Sequence, residues 1–139
     1  VSYSPTSLLL LDDAFIEECD VLHEGYFLGM EDVDLAVQAR QSGLRVMIDP
    51  DSTIQHKEGL TRERSPFMVY HWMRNRLQFA SQRLPAHQRA VFYVMFAMTI
   101  LQFSVIWIFS GRFQLLRSTY FGVGDYLTGA EFRPYEFFE

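Results

Sequence analysis

The feature that most limits how this chain can fold is a run of twenty uncharged residues, Ala90–Phe109. Only Thr99, Gln102 and Ser104 are clearly polar within it. About twenty apolar residues are the length that an α-helix needs to cross the hydrocarbon core of a bilayer. Aromatic side chains would lie all round such a helix, which is not the pattern of a helix with one buried face. The run therefore predicts a helix that spans a membrane, lies against one, or is buried in a larger enzyme.

The flanks of this run add two expectations. Basic side chains stand on both sides of it, so the positive-inside rule gives no orientation. Beyond it, the pattern predicts a helix from Gly111 to about Tyr120, a bend at Gly122–Gly124 and an aromatic, acidic tail.

Composition excludes some classes of partner and bond. The chain has 139 residues, which is one domain or part of one, and a net charge of −5 with no long basic run. Nucleic acid is therefore not expected as a partner. Cys19 is the single cysteine, so no internal disulfide is expected. Because the chain begins with Val1 rather than methionine, we expect a fragment that lacks an N-terminal half.

The densest group of polar residues lies in the segment Gly25–Gly43, where Glu31, Asp32 and Asp34 occur within four positions. Acidic residues favour the first turn of a helix because they complement its positive end. Glycine at Gly43 is a typical helix terminator. The same acids directly follow an apolar, aromatic segment, and a carboxylate with apolar walls suits a general base. Both interpretations, helix start and catalytic base, follow from the residues.

Hydrophobic patterning predicts the other elements. Three segments are expected to be strands: Leu8–Leu11, Leu44–Ile48 and Ser52–His56. Three segments are expected to be helices: a short one through Glu18 capped by Asp12–Asp13, Glu31–Ser42, and Ser65–Arg83. The turn Asp49–Pro50–Asp51 is expected to be closed by its aspartate side chains.

The ordered segment GYFLGMEDVDLAVQARQSGLRVMIDPDSTIQHKEG resembles the C-terminal half of the catalytic domain of inverting family 2 glycosyltransferases. An aromatic segment, an ED pair, a helix ending at glycine, a strand, a P-D turn and a histidine follow in order over Ser7–Arg76. Rhamnosyltransferase-like members are the most similar. The resemblance implies an α/β architecture, the GT-A fold. Residues 1–64 would be its acceptor-side portion, and residues 65–139 a helical, membrane-associated region with the apolar helix 90–109.

The resemblance also implies roles for individual residues. Asp32 would be the general base, with Glu31 as the runner-up. The implied acceptor-binding residues are Tyr26, Phe27, Met30 and Asp34. The implied donor-phosphate residues are Arg62, Arg74 and Asn75, and His56 would complete a metal site. From the residues alone, Arg74 and Asn75 are equally well explained as a snorkelling arginine and a core or capping asparagine.

The implied reaction transfers a sugar from a nucleotide-diphosphate sugar to a glycan or lipid-linked acceptor, with inversion. It implies a divalent cation, Mg²⁺ or Mn²⁺, whose D-x-D ligands do not occur before Glu31. The isolated chain is therefore expected to be inactive. The implied location is the cytoplasmic face of the bacterial inner membrane, peripheral or with one span, in cell-wall or polysaccharide biosynthesis.

Two other classes of function fit the same residues. One is a non-enzymatic, membrane-anchored helical module in which the acids only start a helix. The other is a metal-dependent hydrolase that uses Asp32, Asp34 and His56.

Overall fold

The computed structural model describes residues 8–19, 23–55 and 65–138. Within these ranges the chain forms five α-helices, one short 3₁₀ helix and no β-strand. The helices are α1 (Asp13–Glu18), α2 (Glu31–Gln41), α3 (Pro66–Arg83), α4 (Ala86–Phe109) and α5 (Phe113–Thr128), and the 3₁₀ helix is Tyr135–Phe138. The chain divides into two compact units, Val1–Leu60 and Thr61–Glu139.

The predicted α/β GT-A fold is wrong for the described part of the chain. Leu8–Leu11, Leu44–Ile48 and the described residues of Ser52–His56 form neither strand nor helix, and His56 lies outside the described residues. Their β-branched and apolar composition suits a pleated surface. A strand, however, is stable only when neighbouring strands pair with it. No paired strand is present in residues 8–19, 23–55 and 65–138.

Helix α2 of the first unit begins where its sequence predicts and ends one residue before the predicted Ser42, which is its C-cap. It begins at Glu31 and ends at Gln41, and Gly43 adopts the left-handed conformation with φ 75°. The Gly43 N–H donates to the Arg40 carbonyl at 3.2 Å, and the Leu44 N–H donates to the Ala39 carbonyl at 2.8 Å. This pair of bonds is a Schellman motif, which satisfies carbonyls that the helix end leaves open.

The first unit has a small apolar core that fixes α1 against α2. Phe15 from α1 is buried with Leu35 and Ala39 from α2. Four further side chains pack partly buried against this cluster: Leu11, Cys19, Leu44 and Val46. The core therefore contacts the middle of α2 through Leu35 and Ala39.

Helix α3 of the second unit also starts where predicted. The Ser65 hydroxyl accepts a hydrogen bond from the Met68 N–H at 3.2 Å, and Pro66 occupies the first helical position. Helix α3 packs mainly on α5, and the core of this unit is formed by α3, α4 and α5. Its buried members are Val69, Met73, Leu77, Phe96, Trp107 and Leu115.

Helix α5 differs from its prediction. The expected bend at Gly122–Gly124 is wrong, because α5 continues through both glycines to Thr128 and ends at left-handed Gly129. A Cβ atom on Gly122 would lie 2.4 Å from the backbone carbonyl oxygen of Tyr70. Glycine at this position therefore allows α5 to approach α3 closely, rather than turning the chain.

Helix α4 contains the apolar run and extends four residues before it. Its 24 residues are about 36 Å long at 1.5 Å per residue. Its best 18-residue window has a mean hydropathy of 2.0, and only 17% of that window is buried inside the protein. By length and composition α4 is long and apolar enough to cross a membrane. The largely exposed surface contrasts with the core helix of a soluble protein.

A polar network joins α3, α5 and the C-terminal segment of the second unit. The buried Tyr70 hydroxyl donates to Asp125 Oδ2 at 3.0 Å, and Arg133 forms a bidentate pair with the same carboxylate. The Arg133 hydrogen bond is the main reason that the pKa of Asp125 lies below its ordinary value. Burial raises the pKa of the Tyr70 phenol. The network ties the chain after α5 to the centre of α3.

His71 is enclosed beside this network. It is 1% exposed, and its ring lies 4.5 Å from that of Phe67, 4.9 Å from that of Tyr70 and 5.5 Å from that of Phe132, between ring centres. Burial, with a smaller contribution from the Arg74 guanidinium, lowers the pKa of His71 from 6.5 to about 4. The folded unit therefore keeps His71 neutral at pH values where an unfolded chain protonates it.

We expect the free energy of unfolding of the second unit to fall by about 2 kcal/mol between pH 7 and pH 5. Below pH 6.5 the unfolded chain binds a proton at His71, whereas the folded chain binds that proton only below about pH 4. Stability is therefore lost as the pH falls through this window, at up to about 1.4 kcal/mol per pH unit. The depressed pKa of Asp125 acts in the same direction, but only below about pH 4, where an unfolded aspartate titrates.

Tryptophan fluorescence during guanidinium unfolding measures this effect, because both tryptophans, Trp72 and Trp107, belong to the second unit. The His71→Gln variant should lose most of the pH dependence, whereas His87→Gln, at an exposed position of α4, should retain it. An equal slope in the His71 variant and the wild type would contradict the assignment.

Candidate functional site

The first unit contains an open cleft of about 1010 Å³. Its walls come from residues before α1, from α1 and α2, and from the segment after α2. Most lining side chains are apolar: Leu8–Leu11, Phe15, Leu35, Ala36, Ala39, Leu44, Val46–Ile48 and Ile54. Its carboxylates are those of Asp12, Asp13, Asp32 and Asp49. The size is that of a site for a drug-sized ligand.

Asp32 is the residue of the predicted catalytic pair that lines this cleft. It lies in the first turn of α2, and its Oδ1 accepts a hydrogen bond from the Val33 N–H at 2.8 Å. Met30, directly before the helix, has a left-handed backbone with φ 80° and supplies no side-chain cap. Helix α2 therefore begins without a side-chain cap, and Asp32 in its first turn lies at the cleft wall.

Glu31, the predicted runner-up, is half-buried beside Asp32. Its Oε2 atom is buried and has no hydrogen-bond partner in the part of the chain that the structure describes. Glu31 does not line the cleft. The two acids of the pair therefore have different surroundings, and Asp32 is the one with access to a ligand in the cleft.

Asp34 is buried, at 1% exposure, and is held by its own unit. Gln38 Nε2 donates to Asp34 Oδ2 at 2.7 Å, and the Tyr26 hydroxyl donates to Asp34 Oδ1 at 3.3 Å. These bonds fix the segment before α2 to the helix, so Asp34 positions the loop that carries the apolar frame. The role of Asp34 in binding an acceptor stays a prediction.

The other predicted acceptor residues surround the start of α2 without lining the cleft. Tyr26 is buried by its contact with Asp34, and Phe27 is 63% exposed. Met30 is half-buried. Their predicted contacts with an acceptor are untested by this arrangement.

Arg74 and Asn75, predicted to bind donor phosphate, belong to the second unit. The Arg74 guanidinium lies 4.1 Å above the ring of Phe132 and its Nη2 donates to the Ala130 carbonyl at 3.4 Å. Asn75 is fully buried in α3. The remaining predicted residues, Arg62 and His56, lie outside the described residues.

The cleft contains carboxylates that the sequence analysis did not assign to a site. Asp12 caps α1 by accepting a hydrogen bond from the Ala14 N–H at 2.9 Å, and Asp13 lies in its first turn. Asp49 accepts from Ser52 Oγ at 2.5 Å and from the Asp51 N–H at 3.1 Å, as the turn pattern predicts. The Ser52 bond is the main cause of an Asp49 pKa below its ordinary value. Capping and turn motifs are the signals that place these acids.

A divalent cation is not supported by the described side chains. Residues 8–19, 23–55 and 65–138 contain no group of three or more histidine, cysteine, aspartate and glutamate side chains able to hold a metal ion. The predicted metal site and the hydrolase alternative both need His56, which lies outside these ranges.

Together, the described fold and cleft define a helical protein with a carboxylate-bearing, apolar-walled cleft and one helix suited to a membrane. Comparisons of the chain with protein-family models, with curated proteins and with solved structures find no match. The assignment to family 2 glycosyltransferases is therefore wrong on two findings: no family matches, and the described residues are helical without a strand.

Proposed function

We propose that the chain forms the acceptor side of a membrane-associated enzyme that transfers a sugar from a nucleotide-diphosphate sugar to a hydroxyl group. The supporting observation is the position of Asp32 on the wall of a large, open cleft. The cleft accommodates a glycan or lipid-linked acceptor, whose apolar portion matches the leucine-rich wall.

Asp32 is the general base in this proposal. Its carboxylate takes the proton of the acceptor hydroxyl while that oxygen bonds to the anomeric carbon. The bond from the anomeric carbon to the diphosphate oxygen breaks, and the nucleoside diphosphate leaves with the electron pair. Attack from the face opposite the leaving group inverts the anomeric configuration. Among the acids near the start of α2, Asp34 is bonded within its unit and Glu31 lies off the cleft, which leaves Asp32 for this role.

Helix α4 supports association with a membrane. Sugar nucleotides are made in the cytoplasm, so we place the protein at the cytoplasmic face of a bacterial inner membrane, peripheral or with one span. A lipid-linked acceptor would then be held next to the bilayer.

The direct test is release of nucleoside diphosphate by the full-length protein in membranes. Uridine, guanosine and thymidine diphosphate sugars, including a rhamnose donor, are each supplied with lipid-linked acceptors, and released diphosphate is compared with an acceptor-free blank. Acceptor-dependent release with one donor supports the proposal. Absence of release with every donor, from protein that remains folded by tryptophan fluorescence, overturns it.

A second function, a membrane-anchored helical module without chemistry, is favoured by one observation. The surface of α4 is apolar and largely exposed, with Met98 and Leu101 each 67% exposed. This module needs α4 but not Asp32. The two functions are therefore separated by the response of activity to a change at Asp32.

Leu101→Lys should weaken membrane association of the full-length protein by about 100-fold. A lysine at the centre of a membrane helix costs about 3 kcal/mol, which corresponds to this factor. Co-sedimentation with phosphatidylcholine vesicles measures the change. Ile16→Lys, which introduces the same charge at a 53% exposed position of the first unit that does not line the cleft, is the control and should sediment like the wild type. Equal sedimentation of all three proteins would contradict membrane contact by α4.

A further inference from the structure

Helix α4 has two opposite faces, one turned towards its own unit and one turned outward. The inner face contributes Phe96 and Trp107 to the buried core, and Phe92, Ile100 and Phe103 pack partly buried against it. At 3.6 residues per turn, a second set of side chains lies about 150° around the helix from these five. This second set, which we call the outer seam, consists of six exposed residues: Val91, Met95, Met98, Gln102, Val105 and Phe109.

The outer seam has the spacing and the area of a helix-pairing surface. Its residues recur at intervals of 4, 3, 4, 3 and 4 positions, which is the repeat of a coiled-coil seam. Its five apolar members are between 46% (Val105) and 88% (Phe109) exposed. If each seam residue contributes on the order of 100 Å², two such seams would bury on the order of 1,000 Å², the lower limit for a specific interface.

Gln102 is the polar member of the outer seam, and its side chain is exposed. It lies about 4 Å from the middle of the apolar run Ala90–Phe109, at 1.5 Å per residue. In a spanning helix this depth is hydrocarbon, and lipid tails neither donate nor accept hydrogen bonds. Thr99 and Ser104, the other polar side chains of the run, donate to backbone carbonyls of α4 itself. A primary amide has two donor hydrogens and an acceptor oxygen, so Gln102 is best matched by a group that does both.

We propose that α4 pairs with α4 of a second copy of this chain along the outer seam, with hydrogen bonding between the two Gln102 amides. The proposal rests on the membrane association proposed for α4, but not on sugar transfer. Copies inserted in the same orientation are parallel, and a two-fold axis between them brings the same residue of each copy together. An amide is self-complementary, because its N–H donates to the carbonyl oxygen of an identical group.

Gln102 is the reason that the partner is an identical helix and not lipid alone. Lipid tails are as apolar as the valine, methionine and phenylalanine side chains of the outer seam, so apolar packing by itself gives little preference for a helix. Hydrogen bonds between polar side chains do stabilise helix pairs in membranes. A single polar residue in a seam also fixes the register, because any shift along the helix places the amide against an apolar side chain.

Sedimentation equilibrium of the full-length protein in density-matched, uncharged detergent micelles measures the dimer dissociation constant. Gln102→Leu should raise this constant by about 3–30-fold, the effect of one interhelical hydrogen bond between polar side chains. Gln102→Asn keeps an amide in the seam and should retain more dimer than Gln102→Leu. Thr99→Val removes a hydroxyl whose hydrogen bond lies within α4, and should dimerise like the wild type.

Disulfide cross-linking in phosphatidylcholine vesicles tests the geometry of the pair. Met98 belongs to the outer seam and Leu101 does not, although both are 67% exposed. In a background without other cysteines, oxidation should link Met98→Cys into a covalent dimer, because a disulfide needs Cβ atoms within about 4.5 Å of each other. Leu101→Cys should remain mostly monomeric under the same oxidation.

Three results would overturn the pairing: a wild type that sediments with vesicles yet is monomeric in micelles, a dimer that Gln102→Leu leaves unchanged, or equal cross-linking of the two cysteine variants. An outer seam covered by another segment of the chain, or by a different membrane protein, would give the first result. None of the three bears on acceptor-dependent release of nucleoside diphosphate, so failure of the pairing is distinct from failure of the proposed function.

Discussion

Replacing Asp32 with asparagine should lower sugar transfer by the full-length protein by about 10²–10⁴-fold, the usual contribution of a general base. Asparagine keeps the size of the side chain and can still accept from the Val33 N–H, so the start of α2 should remain intact. Affinity for the nucleotide donor should barely change, because the base contacts the acceptor. The measurements are the kcat of acceptor-dependent diphosphate release and the Kd of the donor nucleotide.

Asp13→Asn is the matched control. Asp13 lines the same cleft from the first turn of α1, and the substitution makes the same chemical change. It should leave turnover within a few fold of the wild type. Glu31→Gln should have an intermediate effect, since Glu31 lies beside Asp32 but off the cleft. Near-normal turnover in Asp32→Asn, with loss of turnover in Glu31→Gln, would exchange the two roles. Normal turnover in both would leave the acids as helix-start residues only.

Gly122→Ala should destabilise the second unit by about 3 kcal/mol or more. The added Cβ would meet the Tyr70 carbonyl oxygen at 2.4 Å and the Met73 Cβ at 3.1 Å. Because the first neighbour is backbone, relief requires α5 to move away from α3, and overpacking of this kind costs about 1–3 kcal/mol or more. Separation would also weaken the bond between Tyr70 and Asp125. The measurement is guanidinium unfolding followed by tryptophan fluorescence.

Gly124→Ala is the control in the same helix. A Cβ on Gly124 would meet nothing within 4 Å, so the substitution should stabilise the unit by about 0.5–1 kcal/mol through helix propensity. The same substitution two residues apart is therefore expected to have opposite signs. Stabilisation in both variants would show that α3 and α5 do not approach as closely as described.

Local signals in the sequence predict the helices well. Ser65–Pro66 predicts the start of α3, and Gly43 predicts the end of α2, because caps and terminators act through bonds between near neighbours. The apolar run Ala90–Phe109 predicts α4 except for the first four residues of the helix, which precede Ala90. These elements depend little on the rest of the chain.

Non-local pairing is what the sequence does not reveal. Leu44–Ile48 has the composition of a strand, but a strand also needs a partner, and composition cannot supply one. Gly122 is a second example of a residue whose role depends on a distant neighbour. Its local signal predicts a bend, but the structure places it against Tyr70, which lies fifty-two positions earlier in the chain.

The candidate site, like the fold, could be predicted from the sequence only in part. The acidic group at the start of α2 is visible in the sequence, but which acid faces a cleft is decided by packing. Asp34 is buried and accepts hydrogen bonds from Tyr26 and Gln38, whereas Asp32 lines the cleft. The buried network of Tyr70, Asp125 and Arg133 has no comparable signal, since its members come from two helices and the segment after them.

The connections at the two ends of α4 are short. Only Leu84 and Pro85 separate it from α3, and only Ser110, Gly111 and Arg112 separate it from α5. Three extended residues reach about 10 Å at most. If α4 lies in lipid, α3 and α5 cannot reorient independently of it. The tilt of α4 would then set the orientation of α3 and α5 relative to the bilayer surface, because the short connections leave these helices little freedom to rotate.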